Sequence, residues 1–286
     1  DQEACIRERQ QKVIALYHSF KKNGYDGPPI SVFFDRDGMV HTYDGFHRLC
    51  MMKYLGMKAD VNVVISYYDK NPERRGDFPL RRTLKKMHKG KYLYQPVDDS
   101  RLRDFRVWRK DSTVRLRYIL NNLAGKTVLD IGSSEGYFSR KIAKKGYTVT
   151  ALDNLRDSVA VTRYLSIVNN IKLRCQQARW QDYVKGKHFD NILYLSVFHH
   201  DVLARGVDEA FRSLRAFRGA TERLFFETPV SSRKISWVSK DKKDLYSFTE
   251  NEFKERIERE TKMKVTDTWY GIRPLFLLKR DDNVAG

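Results

Sequence analysis

Residues 127–138, Thr-Val-Leu-Asp-Ile-Gly-Ser-Ser-Glu-Gly-Tyr-Phe, constrain the fold more than any other stretch of this 286-residue chain. The apolar run Val128-Leu129-Asp130-Ile131 ends at Gly132, and Gly136 follows four residues later. Phe138-Ser139-Arg140-Lys141-Ile142-Ala143 then opens a helical pattern. This succession predicts a buried strand that enters a helix through a turn where backbone passes close to a ligand. A second apolar run, Tyr147 to Leu152, ends in Asp153, 21 residues after Gly132. Strand, glycine turn, helix, strand and terminal acid make a nucleotide-binding half-unit, with the acid placed to accept from ribose hydroxyls.

The loop also speaks to ligand charge. A pyrophosphate-binding turn favours G-x-G-x-x-G before a helix N-terminus, whereas this one reads Gly132-Ser133-Ser134-Glu135-Gly136. A carboxylate at Glu135 repels a pyrophosphate and suits a cationic ligand. With Asp130 two residues ahead of the first glycine, the stretch resembles motif I of the class I S-adenosylmethionine (SAM)-dependent methyltransferases. The resemblance implies SAM as cofactor and S-adenosylhomocysteine as product. It sets Asp130, Gly132, Ser134 and Gly136 against the methionine part and Asp153 against the ribose. Ser133, Tyr137 and Phe138 beside the loop, and Asn154 beside the acid, join the implied cofactor set. The alternative is a strand–helix–strand unit whose glycines are purely structural.

The length suffices for one large or two modest domains. No apolar run approaches the ~20 residues that span a bilayer, and no signal-peptide pattern opens the sequence. It begins on Asp1, as a trimmed chain or part of a longer polypeptide does. Cys5, Cys50 and Cys175 are odd in number and far apart. They argue for a reducing, cytoplasmic compartment and against structural zinc, and no metal is expected. Net charge is +19, and residues 71–110 hold 13 Lys/Arg against 5 Asp/Glu. Such an excess attracts nucleic acid, anionic glycan or lipid, or phosphorylated substrates, or it is simply a solvated basic surface.

The N-terminal stretch reads as a separate α+β unit over 1–70. Helical spacing covers 3–22, and two strands, Ile30–Phe34 and Val40–Tyr43, flank the hairpin turn Asp35-Arg-Asp-Gly38. A helix from Phe46 to Leu55 and a strand at Asp60–Ile65 follow. Tyr43-Asp-Gly-Phe-His-Arg-Leu49 resembles the turn of the ParB/sulfiredoxin-like fold, which implies phosphate binding by His47, Arg48 and exposed amides. The alternative is a turn in which Arg48 pairs with Asp44. Residues 71–92 are basic and read as a linker or connecting helix.

From residue 93 to 286 strands and helices alternate, the signature of a parallel α/β sheet. Strands are expected near 127–131, 148–153, 171–175, 190–195, 223–227, 263–269 and 273–279. The resemblance therefore implies a seven-stranded, Rossmann-like methyltransferase sheet closed by an antiparallel hairpin. Ligands bind at the carboxyl ends of such strands. After the third, the resemblance implies that Trp180 and Gln181 are candidates for adenine, with core packing the alternative for Trp180. After the fourth comes Ser196-Val-Phe-His199-His200. No [DNS]-P-P-[YFW] motif for amino methylation and no Pro-Cys pair for pyrimidine attack is present. Two histidines suit removal of a hydroxyl proton near neutral pH, His199 being the first choice of base and His200 the second. Glu227, ending the fifth strand, is placed to bind acceptor hydroxyls or orient a histidine, or it is a capping acid.

Leu195-Ser-Val-Phe-His-His200, Gly206-Val-Asp-Glu-Ala210, Leu224-Phe-Phe-Glu227 and Trp237 resemble the methyltransferase domain of the bacterial O-antigen chain-terminating kinase–methyltransferases. That resemblance implies a glycan or nucleotide-linked sugar acceptor, a cofactor role for Ser196, and a Tyr94-Gln95 pair closing the SAM site. Trp237, Tyr270 and Arg273 are candidates for a carbohydrate-facing wall, with core packing as the alternative. No kinase domain follows within these residues, which favours a direct sugar hydroxyl. The leading expectation is thus a glycan O-methyltransferase. Its rivals are an RNA or DNA methyltransferase, ribose O-methylation before base methylation, and a non-catalytic SAM-binding module. The oligomeric state stays open.

Overall fold

The computed structural model describes residues 2–25, 27–57, 62–65, 77–234 and 244–280. The chain divides into two compact units, 1–79 and 80–286. In the first, α1 (Gln2–Asn23) precedes a three-stranded sheet of β1 (Ile30–Phe34), β2 (Val40–Asp44) and β3 (Val63–Ile65), with α2 (Phe46–Tyr54) between the last two. β1 is central, antiparallel to β2 and parallel to β3. Its alternate residues Ile30, Val32 and Phe34 are buried, the period of two that a half-covered strand requires. Phe20 packs with Met51 and Met52 to join the two helices. The hairpin forms where expected because the Asp35 carboxylate accepts from the Asp37 and Met39 amides at 2.8 and 2.9 Å. The predicted strand at 60–65 begins outside the described residues.

The second unit starts with α3 (Leu80–His88), within the segment expected to link the two. β4 (Tyr92–Leu93) and β5 (Arg106–Val107) form a small parallel pair, and α4 (Ser112–Asn122) leads into the main sheet. Its elements are β6 (Thr127–Ile131), α5 (Tyr137–Ala143), β7 (Thr148–Asp153), α6 (Arg156–Val168) and β8 (Arg174–Gln177). Then come α7 (Trp180–Tyr183), β9 (Phe189–Leu195), α8 (Phe198–Arg205), α9 (Val207–Ser213), β10 (Thr221–Glu227), α10 (Glu250–Thr261), β11 (Met263–Tyr270) and β12 (Pro274–Arg280).

The strand order is β11-β12-β10-β9-β6-β7-β8, with β12 antiparallel to both neighbours and the other pairings parallel. This is the expected seven-stranded sheet with its terminal hairpin. Side chains alternate between two cores. Leu129, Ile131, Ile192, Tyr194 and Phe226 join Val202, Phe211 and Phe253 of α8, α9 and α10 on one face. Val128, Leu193, Leu195 and Phe225 join Leu116, Phe138 and Ile142 of α4 and α5 on the other.

One strand is displaced from its expected place. β8 was predicted at 171–175 and lies at Arg174–Gln177. Ile171 donates its amide to Ser166 O and belongs to the turn that ends α6. The strand itself, Arg-Cys-Gln-Gln, pairs only with β7 at the sheet edge, so half-burial removes the apolar signal. Among the described residues no helix is long and apolar enough to cross a membrane.

Entry into β6 is fixed by two side chains of β9. Asp190 accepts from the Lys126 and Thr127 amides at 2.7 and 2.8 Å. Fully buried Asn191 accepts from Ala124 N at 3.0 Å and donates to Ala124 O and Thr127 O at 2.6 and 3.1 Å. Asn191→Leu leaves these backbone groups without that partner and is expected to cost about 2–4 kcal/mol, read from equilibrium urea unfolding. An unchanged midpoint would contradict this role.

Candidate active site

The sheet reverses winding between β6 and β9, from which successive connections run in opposite directions. Open α/β sheets bind ligands at such a switch point, beyond the carboxyl ends of the strands. The turn after β6 lies there. Gly132 N and Ser133 N donate to Leu152 O at 2.8 and 3.1 Å, folding the turn back towards β7. Gly132, Ser134 and Gly136 all have positive φ, +70°, +52° and +71°. A Cβ on Gly132 would lie 2.5 Å from Val197 Cγ2, and one on Gly136 would lie 2.4 Å from Thr162 Cγ2. Both glycines are therefore required by packing as well as by conformation.

The carboxylates around this turn divide the work. Asp130 accepts from the Ser139 amide at 3.2 Å and from its hydroxyl, anchoring the start of α5. Burial pushes its pKa up to about 6 against those bonds. Asp153 accepts from the Ser134 amide at 3.0 Å through one oxygen and from the Leu155 amide at 2.9 Å through the other. Each oxygen keeps acceptor capacity, as a ribose-binding acid needs. Burial raises its pKa as well, its backbone bonds opposing.

Glu135 does not face a cationic ligand, contrary to the electrostatic reading of the loop. Its fully buried carboxylate accepts from the Tyr94 amide at 2.6 Å and lies 2.7 Å from His88 Nε2. Burial opposes its ionisation, but His88 and Ser134 outweigh that and hold its pKa below the usual range. The acid thus fastens residues 88–95 to the glycine turn. Gln95, also buried, accepts from the Tyr137 amide at 3.3 Å, so the Tyr94-Gln95 pair does lie against the loop.

Beside the ends of β9 and β10 stands a buried ion cluster that the sequence did not announce. Arg109 Nη1 donates to Glu227 Oε1 at 3.0 Å, to Ser196 Oγ at 3.1 Å and to Tyr94 Oη at 3.3 Å. Its Nε and Nη2 hold Asp111 at 2.9 Å each. Arg115 Nη1 donates to the other Glu227 oxygen, and its guanidinium lies over the Phe138 ring. Burial alone would raise the Glu227 pKa, but Arg115, Arg109 and Arg273 hold it below the usual carboxylate range. Both Glu227 oxygens thereby engage an arginine, and the side chain has no solvent exposure. Arg109 and Arg115 sit in a stretch whose many exposed cations masked them.

His199 and His200 occupy the first turn of α8, not a strand end, with ring centroids 4.4 Å apart. His199 is 2% exposed. Burial, then repulsion from His200 once it is protonated and from Arg273 and Arg109, pushes its pKa down to about 2. His200 is exposed, and its pKa is also lowered, by partial desolvation and by Arg273 against the pull of Asp201. Both rings are neutral near pH 7.

The other expected residues lie partly in the core and partly at the surface. Trp180 is core, stacked on Phe217 at 4.7 Å, and its indole N–H donates to Asp201 at 2.9 Å. Gln181 donates to the same carboxylate at 3.3 Å. Phe138 is buried in the α4–α5 core. Asn154 is exposed, its carbonyl accepting from Gln177 at 3.3 Å. Tyr270 is 67% exposed and donates to Glu250 at 2.7 Å. Arg273 lies in the β11–β12 turn, and Trp237 lies outside the described residues. In the first unit Arg48 donates to Asp44 and Tyr25, each at 3.1 Å, and to Pro28 O, so it braces its own turn; His47 is exposed.

The groups present fit SAM. The two glycines allow close approach, and Asp153 supplies acceptors. Among the described residues Ser133 Oγ and the Nε and Nη2 of Arg115 are buried polar atoms without a hydrogen-bond partner, donors of the kind an amino-acid carboxylate takes up.

Residues 128–216 match a family model described as a methyltransferase domain. Over 114 residues the chain is 31% identical to the O-antigen chain terminator bifunctional methyltransferase/kinase WbdD of Escherichia coli, covering 38% of this chain and 16% of that protein. It is 33% identical over 106 residues to the ubiquinone biosynthesis O-methyltransferase of Glaesserella parasuis, covering 34% of this chain and 45% of that enzyme. The chain thus spans less than half the length of either relative. A crystal structure of WbdD superposes with a TM-score of 0.57 at 22% identity, over 70% of this chain and 46% of that one, a likeness of fold. The chain carries a SAM-dependent methyltransferase domain, and SAM is its cofactor.

Gly132→Ala is expected to raise the SAM dissociation constant about tenfold or more, since φ strain and the Val197 contact both oppose the turn. Adding Val197→Ala should recover part of the loss in calorimetric titration; no loss in the single variant would remove the turn from the site. Acid stability offers a second check. The unfolded chain protonates His199 from about pH 6.5 downward, whereas the folded chain resists to about pH 2. Stability from this group is therefore complete above pH 6.5 and falls with pH. Asp130, raised to about 6, acts in the opposite sense between about pH 6 and 4, so the difference between variants isolates the histidine. His199→Gln should lose less Tm than wild type between pH 7 and 5, and parallel curves would refute the assignment.

Proposed function

We propose that the protein is a SAM-dependent O-methyltransferase whose acceptor is a sugar hydroxyl of a glycan. The observation that carries this is the neutral histidine pair in the first turn of α8, directly after Ser196 at the switch point. A sugar hydroxyl is a poor nucleophile until its proton is taken, and a positioned base contributes typically ~10²–10⁴-fold. Bound SAM supplies an electrophilic methyl group on a sulfonium. The chain's own part is to orient the acceptor, exclude water and take the hydroxyl proton on an imidazole nitrogen.

Exposure favours His200 over His199 as that base. A ring 2% exposed with a pKa near 2 meets neither the reach nor the basicity the step needs. His199 then serves as the packed support of His200. The Arg109–Glu227–Arg115 cluster holds Ser196 and the strap bearing Tyr94-Gln95 in place. Relatives named as an O-antigen chain terminator and as a ubiquinone O-methyltransferase support a glycan-linked or hydroxyl acceptor. A net charge of +19 supports a second reading, ribose O-methylation of nucleic acid.

The N-terminal unit we assign to a ParB-like module on its three-stranded sheet and its Asp44-Gly45-Phe46-His47-Arg48 turn. Since Arg48 braces that turn, His47 and the amides opening α2 are what remain for an acceptor phosphate.

Incubation with methyl-labelled SAM and separate pools of surface oligosaccharide, tRNA and DNA is expected to label the oligosaccharide. Label confined to nucleic acid would sink the glycan reading. His200→Gln should lower kcat by about 10²-fold or more with SAM affinity unchanged, and His199→Gln should lower it less. Full activity in both variants would leave no role for a histidine base.

A further inference from the structure

We propose that the outer face of the β4–β5 strap is a binding groove for an acidic saccharide chain. The inference rests on the glycan reading for the nature of the ligand. An open cavity of about 610 Å³ is lined by Tyr92, Arg106, Val107, Trp108 and Lys110. The strap alternates strictly. Arg109 is 2% exposed and points inward to Glu227 and Ser196, whereas Trp108 is 60% exposed and Arg106 and Lys110 are exposed. Residues 106, 108 and 110 thus share one face, opposite to the residue that reaches the methyl-transfer edge. Trp108 N donates to Leu93 O and Arg109 N to Tyr94 O, which continues the β4–β5 pairing through this segment and brings Tyr92 alongside.

A largely exposed indole beside a 41% exposed Tyr92 contributes little to the core. Sugar rings, apolar on their C–H faces and polar at their edges, pack on such surfaces. No ion pair to Arg106 or Lys110 is found among the described residues. The two cations flank the indole in sequence at equal spacing, where carboxylate or phosphate groups on a ring seated over Trp108 would meet them. The Tyr92 and Trp108 rings meet edge to face, with centroids 6.3 Å apart and 77° between planes. One broad face is offered, not the series of parallel platforms on which successive bases stack. That geometry favours an acidic glycan over single-stranded nucleic acid.

The full chain would be titrated calorimetrically with hexameric oligogalacturonate, a phosphorylated maltooligosaccharide, neutral maltohexaose and an oligouridylate. At least one acidic saccharide should bind, more tightly than maltohexaose and oligouridylate. Trp108→Ala should weaken it about tenfold or more, and Arg106→Gln with Lys110→Gln should abolish most of its salt dependence. SAM affinity and Tm should not move, because all three side chains are exposed. Absence of binding by both acidic saccharides, equal binding by Trp108→Ala, or equal affinity for maltohexaose would overturn the proposal. Tighter binding of oligouridylate, lost in the same variants, would overturn it in favour of nucleic acid. Binding is read without turnover, so a bound but unmethylated saccharide upholds the groove and counts against the acceptor assignment. A glycan methylated and bound equally well by Trp108→Ala does the reverse.

Discussion

The site depends on one carboxylate, Glu227, held without solvent exposure between Arg109 and Arg115. Removing three charges from water is costly, and such clusters seldom add net stability over an apolar replacement. What this one provides is position. Arg109 connects the end of β10, the Ser196 corner after β9, Asp111 ahead of α4 and the Tyr94 hydroxyl of the strap. Arg115 brings α4 to the same point and lies over Phe138 of α5. Loss of either arginine leaves buried charge uncompensated, a penalty of about 3–5 kcal/mol in comparable pairs. Loss of Arg109 would also remove one of the strap's attachments to the sheet.

A second fastening completes the enclosure from the opposite side. Glu135, inside the glycine turn, holds His88 and the Tyr94 amide, while Gln95 accepts from the first residue of α5. The segment from α3 to α4 is therefore tied at one end to the glycine turn and at the other to the carboxyl ends of β9 and β10. The residues of this segment serve the site through contacts that carry no cofactor chemistry themselves.

The half of the site made of backbone was legible in the sequence. An apolar strand broken by two glycines, followed by a helix and a strand ending in an acid, permits few folds, and Gly132, Gly136 and Asp153 lie where that pattern sets them. Strands buried in the sheet centre announced themselves as apolar runs, while the edge strand at 174–177 did not. Long-range polar pairing was not legible. Glu135 looks the same in sequence whether it meets a ligand or a histidine 47 residues earlier. Trp180 was open to two readings, and its partner Asp201, which also takes Tyr194 and Gln181, decided between them. Arg109 and Arg115 are two cations among many, and only burial separates them from the rest.

The place of β12 bears on how such a chain is made. It lies between β10 and β11, yet it follows both in sequence. Until residues 274–280 emerge from the ribosome, the edge of β10 has no partner on that side. That edge carries Leu224-Phe225-Phe226, all without exposure in the finished sheet, and an apolar unpaired edge is a template for intermolecular pairing. The interval between synthesis of β10 and of β12 is thus a window of aggregation risk during biogenesis. Translation speed and chaperone supply over those roughly fifty codons then govern yield, independently of how stable the folded enzyme is.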